Sequence, residues 1–434
     1  MFKELAHTGS VYLDTLAWAS GRSAPLVGPR RSARHIGLLS WYLPPHTNAG
    51  VFRPASWLRH SQATGWRITA VGSSPPASEH RIGAELNRHV QPPNRLLEFA
   101  ASRRVPSWRL TPEIDGGFVN AVDMTKTLIG ALRGERAGAL VATGPPFCTF
   151  VAGYMASRYL CCPLVLDYRD EWTECPFDFV SRGRSDRAWE VKCLNQASLV
   201  IYTTKSFLLH AIKRFPVVDL ARKAIVIPNG AELEDFERRD HTTSPSKGGR
   251  FELAHIGALA GHTPPGEFLD TLAEGVARSL GPLARIQLNL VGRRSREADA
   301  VVSSIRHRPF VTVTDQVAKS EAVRQMQAAD ALLLLADERL ERYMPSKLFD
   351  YIAARRPILV FGHEGEATRV VRDLQVGVIC RPSDGSAGLA AAIEALEHID
   401  LNASEHKVRV WLEAHRRDVL AKRFFDAIET IVDD

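Results

Sequence analysis

The sequence predicts an α/β protein of two consecutive doubly wound, Rossmann-like domains, and three observations carry that prediction. Short runs that are apolar on both faces alternate with helical stretches, as in a parallel sheet covered on both sides. The alternation runs twice, and a polar stretch at 237–250, rich in Arg, Asp, Thr, Ser, Pro, Lys and Gly, separates the two series. The chain has 434 residues, more than one hydrophobic core ordinarily organises.

Residues 1–34 carry Gly, Ser, Pro and Arg without clear periodicity and are expected to form an N-terminal extension. The first domain is expected over 35–236, opening on the apolar run Ile36-Gly37-Leu38-Leu39. A polar, proline-bearing loop from Tyr42 to Gly50 then leads into a helix with Phe52, Ala55 and Leu58 along one side, ending at Gly65. Strands follow at 66–71, 139–142, 163–167, 199–202 and 224–227, with a helix running from Gly144-Pro145-Pro146 through Tyr159. Pro228-Asn229-Gly230 reads as a tight turn that calls for a positive φ. Beyond a linker at 237–250, the second domain is expected over 251–400, with strands at 251–256, 286–291, 311–314, 331–335, 358–361 and 376–380. Ser320 is the expected N-cap of a helix carrying Val323 and Met326. Residues 401–434, with Trp411, Leu412, Phe424 and Ile428, predict amphipathic helices crossing back to the first domain. Open parallel sheets bind ligands beyond the carboxyl ends of their strands, so two such sheets facing each other predict an interdomain cleft as the site.

A hydrophobic content of 45% and a charged content of 24% are those of a soluble globular chain. No run approaches the roughly 18 apolar residues of a membrane span. The N-terminal apolar patch Val11-Tyr12-Leu13 is cut by Asp14, which is unlike a secretory signal, so the cytoplasm is the expected compartment. A net charge of +6 suits an anionic ligand and leaves open a peripheral contact with the inner membrane face. It is too diffuse for a nucleic-acid footprint, which needs a basic stripe with interleaved aromatics. The six cysteines, at 148, 161, 162, 175, 193 and 380, form no C-x-x-C pair and no zinc-like spacing, so buried thiols and no metal are expected.

The residues that can carry chemistry cluster after the strand Leu332-Leu333-Leu334-Leu335. A polar loop at 336–342 is followed by Pro345-Ser346-Lys347, where Ser346 can cap a helix over 347–355 that Pro357 ends. Free N–H groups at a helix N-terminus, with a lysine beside them, make a phosphate cradle. Asp350, one turn in, can accept hydrogen bonds from ribose hydroxyls. A routine βαβ turn with Lys347 and Asp350 as an i,i+3 surface pair accounts for the same residues.

Pro345-Ser346-Lys347-Leu348-Phe349-Asp350-Tyr351-Ile352-Ala353-Ala354-Arg355-Arg356-Pro357-Ile358-Leu359 resembles the donor signature P-S-K-L-x-E-Y-x-A-x-G-x-P-x-L of retaining family 4 glycosyltransferases. Tyr42-Leu43-Pro44-Pro45-His46-Thr47-Asn48-Ala49-Gly50-Val51-Phe52-Arg53 is similar to that family's first strand, loop and helix. Gly144-Pro145-Pro146-Phe147 and Leu166-Asp167-Tyr168-Arg169-Asp170-Glu171-Trp172 resemble the P-P-F and D-F-R-D-x-W signatures of one branch, and Pro228-Asn229-Gly230 the turn before the linker.

The resemblance implies a GT-B fold and transfer of a sugar from a nucleotide-diphospho-sugar to an acceptor hydroxyl with retained configuration. It implies donor contacts from Gly50, Gly257, Arg293, Glu341, Ser346, Lys347, Leu348 and Asp350, the last at the ribose-binding position. Acceptor contacts fall to Pro45, His46, Asn48, Arg53, Pro146, Asp167, Arg169 and Asp170, and catalysis to Lys347, Asp170 and Arg169. The donor is a co-substrate, with UDP as the expected nucleotide, and neither a separate cofactor nor a metal is implied. The acceptor is a hydroxyl-bearing saccharide, a lipid-linked saccharide or a small molecule. Asp350 stands where the family has glutamate, one methylene shorter, and the chain departs from the family elsewhere too. The first glutamate of its E-x7-E motif falls on Arg342, leaving Glu341 adjacent, and the loop 257–265 has no Arg or Lys for the diphosphate and only His262 as a candidate cation, leaving Lys347, Arg293 and Arg294 to supply charge. Two alternatives remain: a partner protein of this fold without transfer activity, and a nicotinamide-dependent oxidoreductase, although no G-x-G-x-x-G follows any strand.

Overall fold

Strands without a polar face have to be covered on both sides, and the computed structural model does this twice. It describes residues 31–46, 49–73, 88–89, 112–132, 136–237, 249–261 and 263–432. The chain folds as two compact units, the first comprising Met1–Pro228 with Leu420–Asp434 and the second Asn229–Val419.

The first unit runs β1 (Arg31–Tyr42), α1 (Phe52–His60), β2 (Arg67–Ser73), β3 (Arg88–His89), α2 (Phe118–Ala131), β4 (Arg136–Gly144), α3 (Cys148–Leu160) and β5 (Leu164–Tyr168). It continues with α4 (Asp186–Gln196), β6 (Leu199–Tyr202), α5 (Lys205–Arg214), α6 (Leu220–Lys223) and β7 (Ala224–Val226). The strands form one sheet in the order β3-β2-β1-β4-β5-β6-β7, and every pairing is parallel. The order reverses between β1 and β4.

The second unit begins with α7 (Glu234–Glu237) and β8 (Phe251–Ile256), then α8 (Gly266–Ala277), β9 (Ile286–Val291), α9 (Arg296–Ile305), β10 (Val311–Thr314) and α10 (Lys319–Ala328). There follow β11 (Ala331–Ala336), α11 (Ser346–Ala353), β12 (Ile358–Gly362), α12 (Glu366–Leu374), β13 (Gly377–Cys380), α13 (Gly385–Glu397), α14 (Glu405–Ala414) and α15 (Arg417–Val432). Its parallel sheet is ordered β10-β9-β8-β11-β12-β13 and reverses between β8 and β11. β11 shows why both faces are covered: Leu332 and Leu334 enter one core while Leu333 and Leu335 enter the other, so no face of the strand can be left wet. Each fully buried leucine contributes about 1.5–3 kcal/mol.

α15 begins in the second unit and ends in the first. Phe424 stacks on Trp57 with ring centroids 4.0 Å apart, and Phe425 stacks on Trp66. Those rings pack in one core with Ile36, Leu38 and Val141, so the C-terminal helix completes the first unit.

Several expected boundaries move. β1 starts at Arg31, inside the expected extension, because residues 31 and 32 already pair with Arg136 and Ala137 of β4. The division at Pro228 places α7 in the second unit, ahead of the expected boundary at 236, and α14 also stays there rather than crossing back. Most of the expected linker, 238–248, and nearly all of the expected extension lie outside the described residues. In α1 the buried residues are Arg53, Pro54, Ser56, Trp57 and Leu58, while Phe52 is exposed, so the expected apolar side is turned. Ser320 does not cap α10, whose N-cap is Ala318. Gly230 does not take a positive φ; its carbonyl accepts from Arg417 Nε at 3.1 Å. Five of the cysteines are buried and Cys161 is exposed. Among the described residues no helix is long and apolar enough to cross a membrane.

Candidate functional site

In the second unit β8 and β11 pair only at Leu253 with Ala331 and Ala254 with Leu332, and then part. Two side chains take over the bonding that the ladder gives up. The Tyr351 hydroxyl accepts from Ile256 N at 2.9 Å and donates to Ile256 O at 3.1 Å, tying α11 to the end of β8. The ring of His255, fully buried, bonds Leu333 O on β11 through Nδ1 at 3.0 Å. Replacing Tyr351 by phenylalanine strands both backbone groups of Ile256 in a dry core, so a loss of about 1–3 kcal/mol is expected in urea unfolding.

The gap between the parted strands receives Lys347. Its Nζ lies 3.1 Å from His255 Nε2 and donates to Ala258 O at 3.1 Å. Gly257 has φ +145°, and a Cβ there would sit 3.2 Å from Lys347 Cε and 3.3 Å from Nζ, so glycine serves both the backbone and the lysine. The side chain is half-buried and meets no carboxylate among the described residues, and burial draws its ammonium down to about 7. The neighbouring His255 is pushed well below its ordinary value, first by burial and then by the Lys347 charge.

The other expected donor contacts divide. Asp350 does not pair with Lys347; its Oδ2 meets Lys319 Nζ at 2.8 Å. Ser346 is the first residue of α11 and makes no capping bond, the N-cap being Pro345. Leu348 is a core residue with no exposed side chain, because its position in the amphipathic α11 faces inward. The carboxylate of Glu341 is turned to Arg342 at 2.7 Å. Arg293 is exposed and bonds Gln316, while Arg294 is held by Asp299 at 2.8 Å and Asp315 at 2.6 Å and offers no open charge. A cavity of about 480 Å³ lies in the same unit, walled by Pro264, Pro265, Phe268, Val301 and Phe361, with Asp337 and Arg339 beside them. Lys347, Ser346 and Asp350 do not line it, and it shares with Lys347 only the loop after β8, through Ala260 and Gly261. The chemistry therefore points to Lys347 rather than to the cavity.

In the first unit the carboxyl ends of β4 and β5 carry a linked set. Arg53 Nε reaches both oxygens of Asp167, at 2.9 and 3.1 Å, and its NH1 donates to Pro228 O at 2.9 Å. Thr143 Oγ1 donates to Asp167 Oδ2 at 2.7 Å. Arg53 and Asp167 are both buried, so the expected acceptor contacts at these two positions are replaced by an internal staple joining α1, β5 and the chain after β7. Gly50 lies in the 3-10 turn Ala49–Val51 that opens α1 and needs no positive φ.

Arg169 donates from its backbone N to Gly144 O at 3.1 Å, from Nε to Thr143 Oγ1 at 3.1 Å, and from NH2 to Pro145 O. It holds the Gly144-Pro145-Pro146 loop in place, and burial lowers its pKa. The Pro146 carbonyl accepts from Thr149 Oγ1 at 2.9 Å. Asp170 is different. It is half-buried, has no hydrogen bond to any described group, and burial raises its carboxyl to about 6 against the pull of Arg169. His46 Nε2 lies 2.7 Å from Ser73 O, so that nitrogen carries the proton and only Nδ1 is left to face a ligand. Pro45 is half-buried beside it, and Asn48 lies outside the described residues.

His255, Tyr351, Lys319 and Thr143 belong to these two sets, and sequence reasoning misses all four as functional residues. His255 carries a signal: it is the one ring-bearing polar residue in the otherwise apolar end of Phe251–Ile256.

No protein-family model matches the sequence. No curated protein matches it either. Solved structures do match. The chain is similar to sucrose-phosphate synthase from Thermosynechococcus elongatus, at 16% identity and a TM-score of 0.66 over 91% of this chain and 97% of that one. It is similar to a glycosyltransferase from Rickettsia africae, at 10% identity and a TM-score of 0.62 over 92% and 99%. It is also similar to HepE of Anabaena in complex with UDP-glucose, at 15% identity and a TM-score of 0.55 over 92% and 98%. At such low identity the likeness establishes the fold: the chain has the GT-B-like α/β architecture of two Rossmann-like units that its sequence predicts.

Proposed function

We propose that the chain is a glycosyltransferase that moves a sugar from a nucleotide-diphospho-sugar to an acceptor hydroxyl, with retention of configuration. The observation that carries this reading is Lys347: a half-buried ammonium with no carboxylate partner among the described residues, beside the N-terminus of α11, where the strand order of the second sheet reverses. Strand ends at such a reversal are where doubly wound sheets bind nucleotides. An ammonium beside a helix N-terminus can stabilise the charge that builds on a departing diphosphate. Asp350, held by Lys319 through one oxygen, keeps the other for a ribose hydroxyl. UDP is the nucleotide this reading favours, in line with the UDP-glucose named for the Anabaena protein. In the first unit Asp170 is assigned to the acceptor hydroxyl and Arg169 to the shape of the loop beside it. With its carboxyl near 6, Asp170 is largely ionised at neutral pH and able to accept a hydroxyl hydrogen bond.

The test is a panel of UDP-, GDP- and ADP-sugars against saccharide, lipid-linked and small-molecule acceptors, scored by nucleotide release and by NMR of the product anomer. Release of one nucleoside diphosphate with an unchanged anomeric centre is expected. An inverted product contradicts the retaining assignment. A second reading, a protein of this fold that binds a donor without transferring it, is favoured by Arg342 and its pairing with Glu341. Donor binding without release in the whole panel identifies it.

A further inference from the structure

A carbonyl oxygen can only accept, so the 3.0 Å bond from His255 Nδ1 to Leu333 O places the ring proton on Nδ1. In the neutral ring Nε2 is then a lone pair, and it faces Lys347 Nζ at 3.1 Å with the Ala258 carbonyl beside the pair. Nζ also donates to Ala258 O, so two acceptors, both uncharged, fix the ammonium over Gly257. Among the described residues, the titratable groups of α11 and the one after α14 are engaged elsewhere; His262, in the loop after β8, lies outside the described residues. Asp350 of α11 pairs with Lys319 of α10 at 2.8 Å. The Tyr351 hydroxyl is bonded to Ile256, and His415, after α14, bonds Trp411 O through Nδ1 at 2.7 Å.

We infer that His255 is the positioning residue of Lys347, holding its amine where a diphosphate binds and making that binding draw one proton from solvent. The inference rests on the donor-site reading above. Without a ligand, Lys347 has no anion to offset its burial and titrates near 7. A diphosphate supplies the anion, so the bound amine takes up a proton and becomes the ammonium. Above pH 7 affinity must fall with rising pH, toward tenfold per unit, until the bound pKa is passed. The lone pair of His255 favours the charged amine, and its removal moves this fall to lower pH.

The experiment is calorimetric titration of the full chain with UDP between pH 6 and 9, in two buffers of different ionisation heat, for wild type, His255→Asn and His255→Gln. Asparagine retains a donor toward Leu333 O and loses the acceptor toward Lys347, whereas the longer glutamine side chain keeps an acceptor at that reach. Expected are proton uptake approaching one per UDP at pH 8 in wild type, and affinity lowered about tenfold at pH 8 but less than about twofold at pH 6 in His255→Asn, with His255→Gln closer to wild type. The second ionisation of the ligand's own phosphate, near 6, is common to all three proteins and cancels in the comparison. Wild-type affinity for UDP with no proton uptake, or a His255→Asn loss equal at both pH values, overturns the inference and leaves the donor site standing. Wild type that binds none of UDP, GDP and ADP in the same calorimeter overturns the donor reading itself. Nitrogen-15 NMR of wild type needs no variant: a proton on His255 Nδ1 and an Nε2 resonance that moves on UDP addition are expected, and a proton on Nε2 overturns the inference.

Discussion

Replacing Lys347 by alanine is expected to lower sugar-transfer turnover by about 10²–10³, the range found when one preorganised donor to a developing negative charge is removed. The effect is large because the loop after β8 has no Arg or Lys and the two arginines after β9 are engaged. Arg294 is fixed by two aspartates and Arg293 bonds Gln316. Affinity for UDP is expected to fall with turnover, since the proposed role has Lys347 meeting the diphosphate before and after transfer. Stability should change little, because the variant removes a desolvated ammonium while leaving His255 Nε2 unpaired, and these two effects oppose each other. Steady-state kinetics beside a thermal unfolding curve separates the outcomes, and unchanged turnover in a folded variant rules out the phosphate role.

The largest stability effect is expected at Asp167. Its carboxylate is fully buried against Arg53, with Nε at 2.9 and 3.1 Å and NH2 at 2.8 Å. Asp167→Ala leaves the guanidinium charged and buried, with the Pro228 carbonyl and the Trp57 ring beside it but no carboxylate, and such an orphaned charge costs about 3–5 kcal/mol. Removing both partners, as Arg53→Met with Asp167→Ala, should cost less than the sum of the single changes. Urea unfolding of the three variants measures the cycle. Additive losses would show that Arg53 and Asp167 act separately and return Asp167 to the candidate acceptor contacts.

These two residues also mark what the sequence makes legible. Strands apolar on both faces, such as 331–335, announce themselves because no other burial suits them, and both sheets follow from that pattern. The first turn of α1 does not: Phe52 is turned outward and Arg53 inward, because the distant Asp167 claims the arginine, 114 residues along the chain. Lys347 stands out through its motif, but its environment is tertiary. The i,i+3 pair with Asp350 that helix geometry allows is not formed, since His255 and Ala258 reach the lysine from β8 and the loop after it while Lys319 reaches the aspartate from α10. Leu348 shows the opposite limit. It sits inside the motif, yet its place on α11 makes it core. Arg355 stands at the motif's glycine position and takes φ +56°, so the backbone keeps the left-handed turn although the residue that favours it is gone.

Thermal-shift titration of the chain with UDP, GDP, ADP and NAD, in parallel with Lys347→Ala, decides whether a nucleoside diphosphate site is built on Lys347. One nucleoside diphosphate, UDP first, is expected to raise the melting temperature in a concentration-dependent way, with the shift lost in the variant. Stabilisation by NAD alone, by no nucleotide, or equally in wild type and Lys347→Ala would contradict such a site.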